Sequence, residues 1–433
     1  MKQTEKTERS ARRSVLRSTP VLVTALVLLV IVCGWFSFRY AMASYWAGLA
    51  DHAIATTNYE HAATYYARAD SYSRRGGKYL IGQARAARLL LQFDRAITLL
   101  DKLPPGGPEM ENALRERLLA QVQAGEAKRL FGQFDMLLNQ RSEDADAVWF
   151  AFADGFDNGG DAKAARNITT QWLARSPDSA FAHLCRGQLA YRDGDWETAT
   201  QSFASALKLN NELKEAWQGL SRLSLSEYEY RRALTFTERV LEIDKRDLEA
   251  NLRKANCLAI LGESDAAIEI YEQIVLRQPN NFAARSDLAQ LLVNQQYSQR
   301  AIDALESFFP EFSEDMAINY LVAEAYSQLG QLQKADEHLG VHLEGRKVTD
   351  SLTVAILKTP PSERDAAFCK ATGMQYLRYQ WDAAYDWLDQ AVMMNPSDPE
   401  IHQALADFAR KRGDVDLAEK YSQQAAILGS RTP

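Results

Sequence analysis

The residues whose types and spacing come nearest to chemistry are His338 and His342, four apart, with Glu337 and Glu344 beside them. On a helix that spacing sets both imidazoles on one face, as in a two-histidine metal site. The same spacing arises on any helix face that must pack, and His342 falls at a packing position of its segment, so the pair reads first as packing. His52, His61, His183 and His402 have no convincing partners in the sequence. The cysteines Cys33, Cys185, Cys257 and Cys369 form no C-x-x-C pair, which argues against a zinc site, a haem attachment site and a disulfide framework. No G-x-S-x-G, phosphate-binding loop, dinucleotide fingerprint or H-E-x-x-H is present. The pairs Gly76-Gly77, Gly106-Gly107 and Gly159-Gly160 fit connectors between helices. The sequence therefore predicts no catalytic residue, no cofactor and no metal: a binding protein, not an enzyme.

Composition narrows the partners. The chain has 433 residues, more than one compact core usually holds, with 46% hydrophobic and 25% charged residues. Net charge is −7, unevenly spread: residues 1–19 hold six basic side chains against Glu5 and Glu8, or +4, so the remainder carries −11. An acidic body repels phosphate backbones, which excludes nucleic acid from the expected partners.

The elements that position everything else begin with Val21 to Phe38, 18 residues without a charge. As a helix they span about 27 Å, close to the hydrocarbon thickness of a bilayer. Trp35, Phe36, Phe38, Tyr40, Tyr45 and Trp46 cluster at the C-terminal end, as an interfacial belt would. The basic flank precedes the span, so the positive-inside rule sets residues 1–19 in the cytoplasm as a tail. It makes 20–40 the single transmembrane anchor and sends the rest to the far side, the periplasm in a bacterium. Ala41-Met42-Ala43 has the form of a signal-peptidase site, but the apolar stretch exceeds the roughly 7–15 residues of a cleaved signal. Val32 before Cys33 does not fit a lipoprotein signal.

Beyond the span one pattern recurs, W-x-x-L-A…Y-x-x-A…Y-x-x-A at residues 46–69 and again down the chain. Units start near 43, 77, 111, 146, 180, 214, 248, 282, 316, 365 and 399. Bulky residues stand at the fourth place (Trp46, Leu80, Trp149, Trp217). Small ones follow four later (Ala50, Ala84, Ala153, Gly187, Ala255, Ala289, Ala323, Ala406), where two helices must approach closely. Gly125, Gly160, Gly194, Gly262, Gly330 and Gly413 mark the turns between paired helices. Alanine opens the second helix from Ala62 and Ala96 to Ala418, and Pro177, Pro279 and Pro396 close units. Two units are weak: in 111–145, Leu130 replaces the alanine, and in 282–315, Ser298 replaces an aromatic and Phe308-Phe309-Pro310 ends the unit early.

A 34-residue period of helix–turn–helix units resembles the tetratricopeptide repeat (TPR) family, over residues 43–428. The resemblance implies an all-α superhelical solenoid of about eleven units, with units 1–9 in 43–345 and units 10–11 with the C-terminal cap in 365–433. Each hairpin buries its apolar faces only against its neighbours. Glu419, Lys420, Gln423 and Gln424 give the last helix a polar face. Fifteen extra residues fall within 346–364, where Ser351–Lys358 reads as one short added helix stopped by Pro360-Pro361; the segment is expected as a long loop packed on the outside, or as a hinge or docking element.

In the family the first helix of each unit lines a concave surface that binds partners. Carried onto this chain, the lining comprises Lys78, Arg85, Arg88 and Arg115, then Phe150, Asp154, Phe181, Leu184, Gln188 and Tyr191. It continues with Gln218, Arg222, Asn256, Gln290, Tyr320 and Glu324. Of these, Arg85, Arg88, Arg115, Phe150, Phe181, Tyr191, Arg222, Asn256 and Tyr320 are the expected partner contacts, since aromatics anchor a peptide and polar groups fix its register. Asn256 alone occupies the ninth place that clamps a terminal carboxylate in some members, so that clamp is not expected. The implied function is a membrane-anchored scaffold for protein or peptide partners in assembly of a membrane or envelope complex. Its alternatives are a glycan-binding component of a polysaccharide secretion system and a non-catalytic subunit of an enzyme complex.

Overall fold

A computed structural model describes residues 2–73, 77–140, 145–279, 281–306, 313–412 and 415–429. Gly76, Phe308, Phe309, Pro310, Gly413 and the side chains of residues 1–26 lie outside the described residues. Every regular element is helical; no strand occurs among the described residues. The chain forms two compact units, residues 1–227 with 242–244, and residues 228–241 with 245–433.

The first unit contains α1 Lys2–Ala55, α2 Tyr59–Tyr72, α3 Gly77–Leu89, α4 Phe93–Asp101, α5 Met110–Gln121, α6 Ala127–Leu130 and α7 Phe134–Gln140. It continues with α8 Ala145–Asn158, α9 Ala162–Arg175, α10 Ala180–Arg192, α11 Trp196–Leu209 and α12 Lys214–Ser226. Helix α1 runs without a break from the apolar segment into the first hairpin. Its stretch Val27–Ala55 is long and apolar enough to cross a membrane; the most apolar 18 residues of it are almost wholly unburied, whereas Ala43, Ala47, Ala50 and Ala53 pack into the body. Where that stretch meets the body, the Arg39 guanidinium donates to the carbonyls of Ser71 and Tyr72, each at 3.0 Å, fastening α1 to the end of α2.

The second unit contains α13 Tyr230–Ile243, α14 Leu248–Ile260, α15 Ser264–Arg277, α16 Phe282–Asn294, α17 Ser298–Glu306, α18 Met316–Gln328 and α19 Leu332–Lys358. Then come α20 Ala366–Tyr379, α21 Tyr385–Met394, α22 Pro399–Arg412 and α23 Val415–Gly429. Residues 346–358 form no separate helix. They continue α19, which reaches 27 residues before Thr359 and Pro360 end it. No glycine or proline interrupts Arg346–Lys358, so nothing forces the chain to turn until the proline pair.

The hairpin turns repeat as a backbone conformation. Thr57, Leu91, Gly125, Gly160, Gly194, Tyr228, Gly262, Gln296 and Gly330 all have φ between 60° and 99°, at steps of 34 or 35 residues. A left-handed residue ends the first helix and reverses the chain at small cost only when it is glycine. Four of the nine turns keep that conformation with a side chain present.

Small residues let the helices close. Ala50, Ala84, Ala153, Ala255, Ala289 and Ala406 are buried, as are the second-helix alanines Ala62, Ala96, Ala165, Ala199, Ala233 and Ala267. In the first unit the buried ring of Phe203 is wedged between Gly187 and Gly219: a Cβ on either would stand 2.7 or 2.6 Å from the ring. The weak third hairpin shows the converse. Buried Leu130 occupies the alanine's place, and the second helix breaks there into α6, a 3₁₀ turn over Phe131–Gln133, and α7.

Candidate partner-binding site

Five first helices start with a side-chain cap. Ser179 accepts from Ala182 N–H, Asp247 from Ala250, Asn281 from Ala284, Asp315 from Ala317 and Ile318, and Asp365 from Phe368. Helix α12 has no such cap, because Leu213 has no side-chain acceptor. Its N–H groups are satisfied by the first hairpin instead. Lys214 N–H donates to the Thr56 carbonyl and Glu215 N–H to Thr57 Oγ1, both at 2.9 Å. Around them Asn210 Nδ2 donates to the Ala55 carbonyl at 3.1 Å, and Lys214 Nζ lies 3.3 Å from Glu60 and 3.9 Å from Asp244. The first unit thus closes on itself. The signal for this in the sequence was Leu213 standing where five other hairpins carry Ser179, Asp247, Asn281, Asp315 and Asp365.

Closure fills much of the inner surface. Arg88 is buried at 1% exposure, its guanidinium 2.5 Å from buried Glu116 and hydrogen-bonded to Gln123. Gln123 Nε2 donates to Asp154 at 2.7 Å, and Asn158 Nδ2 donates to Asp154 at 3.2 Å. Burial pushes the Glu116 carboxyl up, but Arg88, Arg85 and Arg115 outweigh it and hold the group below its ordinary range. Asp154 is pushed up by burial despite the hydrogen bonds from Gln123 and Asn158. Burial also raises Glu215, to about 7, against the lowering effect of the Gln188 hydrogen bond, Arg222 and Lys214. Tyr59, beside Glu215, is raised well above its ordinary value by burial and by that carboxylate.

Of the expected contacts, Arg85, Arg88 and Arg115 are brought together around Glu116. Arg88 is an interior structural group, because an arginine this deep beside a carboxylate has no face left for a partner. Arg85 and Arg115 line a cavity of about 230 Å³ with Lys78, Asp51, Glu109, Tyr66 and Tyr79. Phe150 and Phe181 are partly buried against the cluster of Trp149, Phe152 and Trp172. The Arg222 guanidinium sits 5.7 Å from the Tyr191 ring, and Tyr191 meets Trp196 edge-on at 5.6 Å. Leu184 and Gln218, also expected on the inner face, are buried. In the second unit Asn256 is exposed at a cavity of about 150 Å³ beside Tyr271, Asp287 and Gln290. Tyr320 is exposed with its ring 5.2 Å from that of His342, and it does not line the Asn256 cavity. Two larger cavities were not foreseen: about 320 Å³ beside Arg166, Arg186 and Asp193, and about 410 Å³ beside Glu314, Arg378, Arg410 and Lys411.

The histidine pair turns toward α18. His338 Nδ1 lies 2.8 Å from Asn319 Oδ1 with its ring stacked on Tyr326, and His342 Nδ1 lies 2.8 Å from the Met316 carbonyl. Burial lowers His338 against the raising effect of Glu337. Cys185, Cys257 and Cys369 are buried free thiols, and burial pushes Cys185 up to about 12 although Thr169 hydrogen-bonds it.

Known proteins can now be set beside this geometry. A tetratricopeptide repeat profile matches residues 224–291. The chain is 19% identical over 365 residues to tetratricopeptide repeat protein 21B of Xenopus laevis, covering 78% of this chain and 26% of that protein. It is 22% identical over 258 residues to a TPR repeat-containing protein of Methanocaldococcus jannaschii, covering 58% of this chain and 43% of that one. The chain therefore spans only about a quarter to under half of the length of these relatives. The crystal structure of yeast Tom70 matches at 14% identity and a TM-score of 0.34, over 89% of this chain and 85% of Tom70. The helical hairpins stepping every 34 or 35 residues, with the profile match over 224–291 and the likeness to TPR relatives, give this chain a tetratricopeptide repeat architecture.

Proposed function

We propose that this chain is a membrane-tethered scaffold that binds an acidic peptide segment of a protein partner and performs no chemistry of its own. The observation that carries the reading is the cavity of the first unit. There Lys78, Arg85 and Arg115 stand beside Tyr66 and Tyr79, with Arg88 behind them occupied by Glu116. Four cations against the carboxylates of Asp51, Glu109 and Glu116 leave a local excess of one positive charge in an otherwise acidic chain. Lys78 and Arg85 there receive a partner's carboxylates, with buried Arg115, Tyr66 and Tyr79 forming the wall behind them. Phe150, Phe181, Tyr191 and Arg222 are further proposed contacts of the first unit; Asn256 and Tyr320 are proposed contacts of the second unit, taken by themselves. Tethering rests on the Val27–Ala55 stretch of α1, and the basic tail orients it with the N-terminus in the cytoplasm and the repeats on the far side.

The test is photocrosslinking in native membranes, with a photoreactive residue at exposed Lys78 and a control at exposed Gln201. A discrete partner adduct at position 78, absent at 201, weakened by salt and lost in Arg85→Glu, is the expected result. Identical adducts at both positions, or none at 78, would overturn the reading. A glycan is the second reading, favoured by exposed Trp196 edge-on to Tyr191, because sugars stack on aromatic faces. A glycan bound there survives high salt and is lost in Tyr191→Ala.

A further inference from the structure

Helix α19 is about twice the length of its counterparts: 27 residues against 14 in α11 and 14 in α15. Its inner side is committed. Ala335, Gly345 and Thr349 are buried, and a Cβ at Gly345 would stand 3.0 Å from Met316 of α18 and 3.2 Å from Tyr379 of α20. Along one flank run Leu339, Leu343, Arg346, Asp350, Val354 and Leu357, all exposed. The apolar members are 38%, 54%, 49% and 80% exposed. Their spacings of 4, 3, 4, 4 and 3 average 3.6 residues, the period of a straight helix, so the row stays on one side for its whole length.

The row reads apolar, apolar, basic, acidic, apolar, apolar, and it is its own complement in reverse. Laid antiparallel on a second copy, Leu339 meets Leu357, Leu343 meets Val354, and Arg346 meets Asp350. The paired numbers sum to 696 or 697, a single register about a two-fold axis at residue 348. Lys347 adds a second cation opposite each Asp350 in that register. A parallel arrangement would instead set arginine on arginine and aspartate on aspartate. Among the described residues no ion pair engages Arg346, Lys347 or Asp350 within the chain, so their charges are available to a second copy.

We propose that α19 is a homodimerisation element: two copies of this chain join by isologous, antiparallel packing of α19. The residues beyond the repeat period supply Asp350, Val354 and Leu357, half of the row, which gives the long helix its purpose. Eight apolar side chains supply most of the attraction, and the central ion pairs fix direction and register.

The test uses the full-length chain in detergent, its mass followed by sedimentation velocity. Asp350→Arg makes the centre of the row wholly basic, and Arg346→Asp with Lys347→Asp makes it wholly acidic. Each variant alone is expected to dimerise about tenfold more weakly than wild type or worse, and an equimolar mixture is expected to restore a dimer. In a Cys33→Ser background, a short bismaleimide is expected to link chains carrying both Leu339→Cys and Leu357→Cys. These two sites lie about 27 Å apart within one helix and cannot be bridged inside a chain. A chain carrying Leu339→Cys alone is expected to stay unlinked. A monomeric wild type, as when a different protein covers the row, would overturn the proposal. So would undiminished dimers of both charge variants, or efficient linking through Leu339→Cys alone.

Discussion

The backbone N–H of Lys214 donates to the carbonyl of Thr56 at 2.9 Å, across 158 residues of sequence. With Glu215 N–H on Thr57 Oγ1, the turn of the first hairpin serves as the N-cap of α12. Neighbour contacts alone would leave a repeat array open at both ends. In the first unit the cap joins the first hairpin to the sixth first-helix and closes the inner surface over Arg88, Glu116 and Asp154.

Removing the borrowed cap has a defined cost. Thr57→Val keeps the side chain's shape but deletes the acceptor, and it is expected to destabilise the first unit by about 1–2 kcal/mol. Hydrogen exchange supplies the local readout: the Glu215 amide should lose protection while the Ala250 amide, capped by Asp247 in α14, keeps its own. Unchanged protection at Glu215 would refute the assignment.

The left-handed turns offer a gain. Leu91 holds φ 60° with an exposed side chain, so Leu91→Gly should be about 1 kcal/mol more stable than Leu91→Ala. The opposite sign is expected at Gly194, φ 76°, where Gly194→Ala should lose about 1 kcal/mol. Urea unfolding of the four chains measures both, and equal stability of the two Leu91 variants would be inconsistent with strain at that turn.

Phe203 sets the spacing of three helices. Gly187→Ala and Gly219→Ala each drive a methyl into its ring and should cost about 1–3 kcal/mol. The loss is expected to shrink when Phe203→Leu is combined with either. A double-mutant cycle with no coupling would show that the helices simply move apart.

Glu215 makes the first unit's stability depend on pH. Its carboxyl titrates near 7 when folded against an ordinary value of 4.5, so the folded chain binds the extra proton between those values. A raised carboxyl favours the folded state at low pH and withdraws that support as pH climbs from about 4.5 to 7. Glu215→Gln keeps an acceptor for Gln188 Nε2 and removes the charge. It is expected to raise the melting temperature at pH 8, by up to about 3 kcal/mol of stability, and to change little at pH 4. Equal effects at both pH values would mean the group is not protonated in the fold.

Much of the fold was legible because it is written in local terms. A turn glycine at Gly160, Gly194 or Gly262 needs only its own backbone angle, and an alanine at Ala165 or Ala199 needs only the helix it touches. The same locality explains the misreading at Ser351–Lys358, where a prolonged helix and a separate short one have the same composition. The site was less legible. Arg85 and Arg88 sit one turn apart on α3 and are alike in sequence, yet one lines a cavity and the other is buried on Glu116.

The sequence alone determined the repeat, its 34-residue step, the apolar α1 segment and the residues at each turn, since all of these follow from helical periodicity and the steric demands of single positions. The tertiary structure decided that Thr56 and Thr57 cap α12, that Arg88 is spent inside, and that α19 runs on to Lys358. Those outcomes depend on small rotations accumulated from hairpin to hairpin, and no stretch of sequence shorter than the whole unit carries their sum.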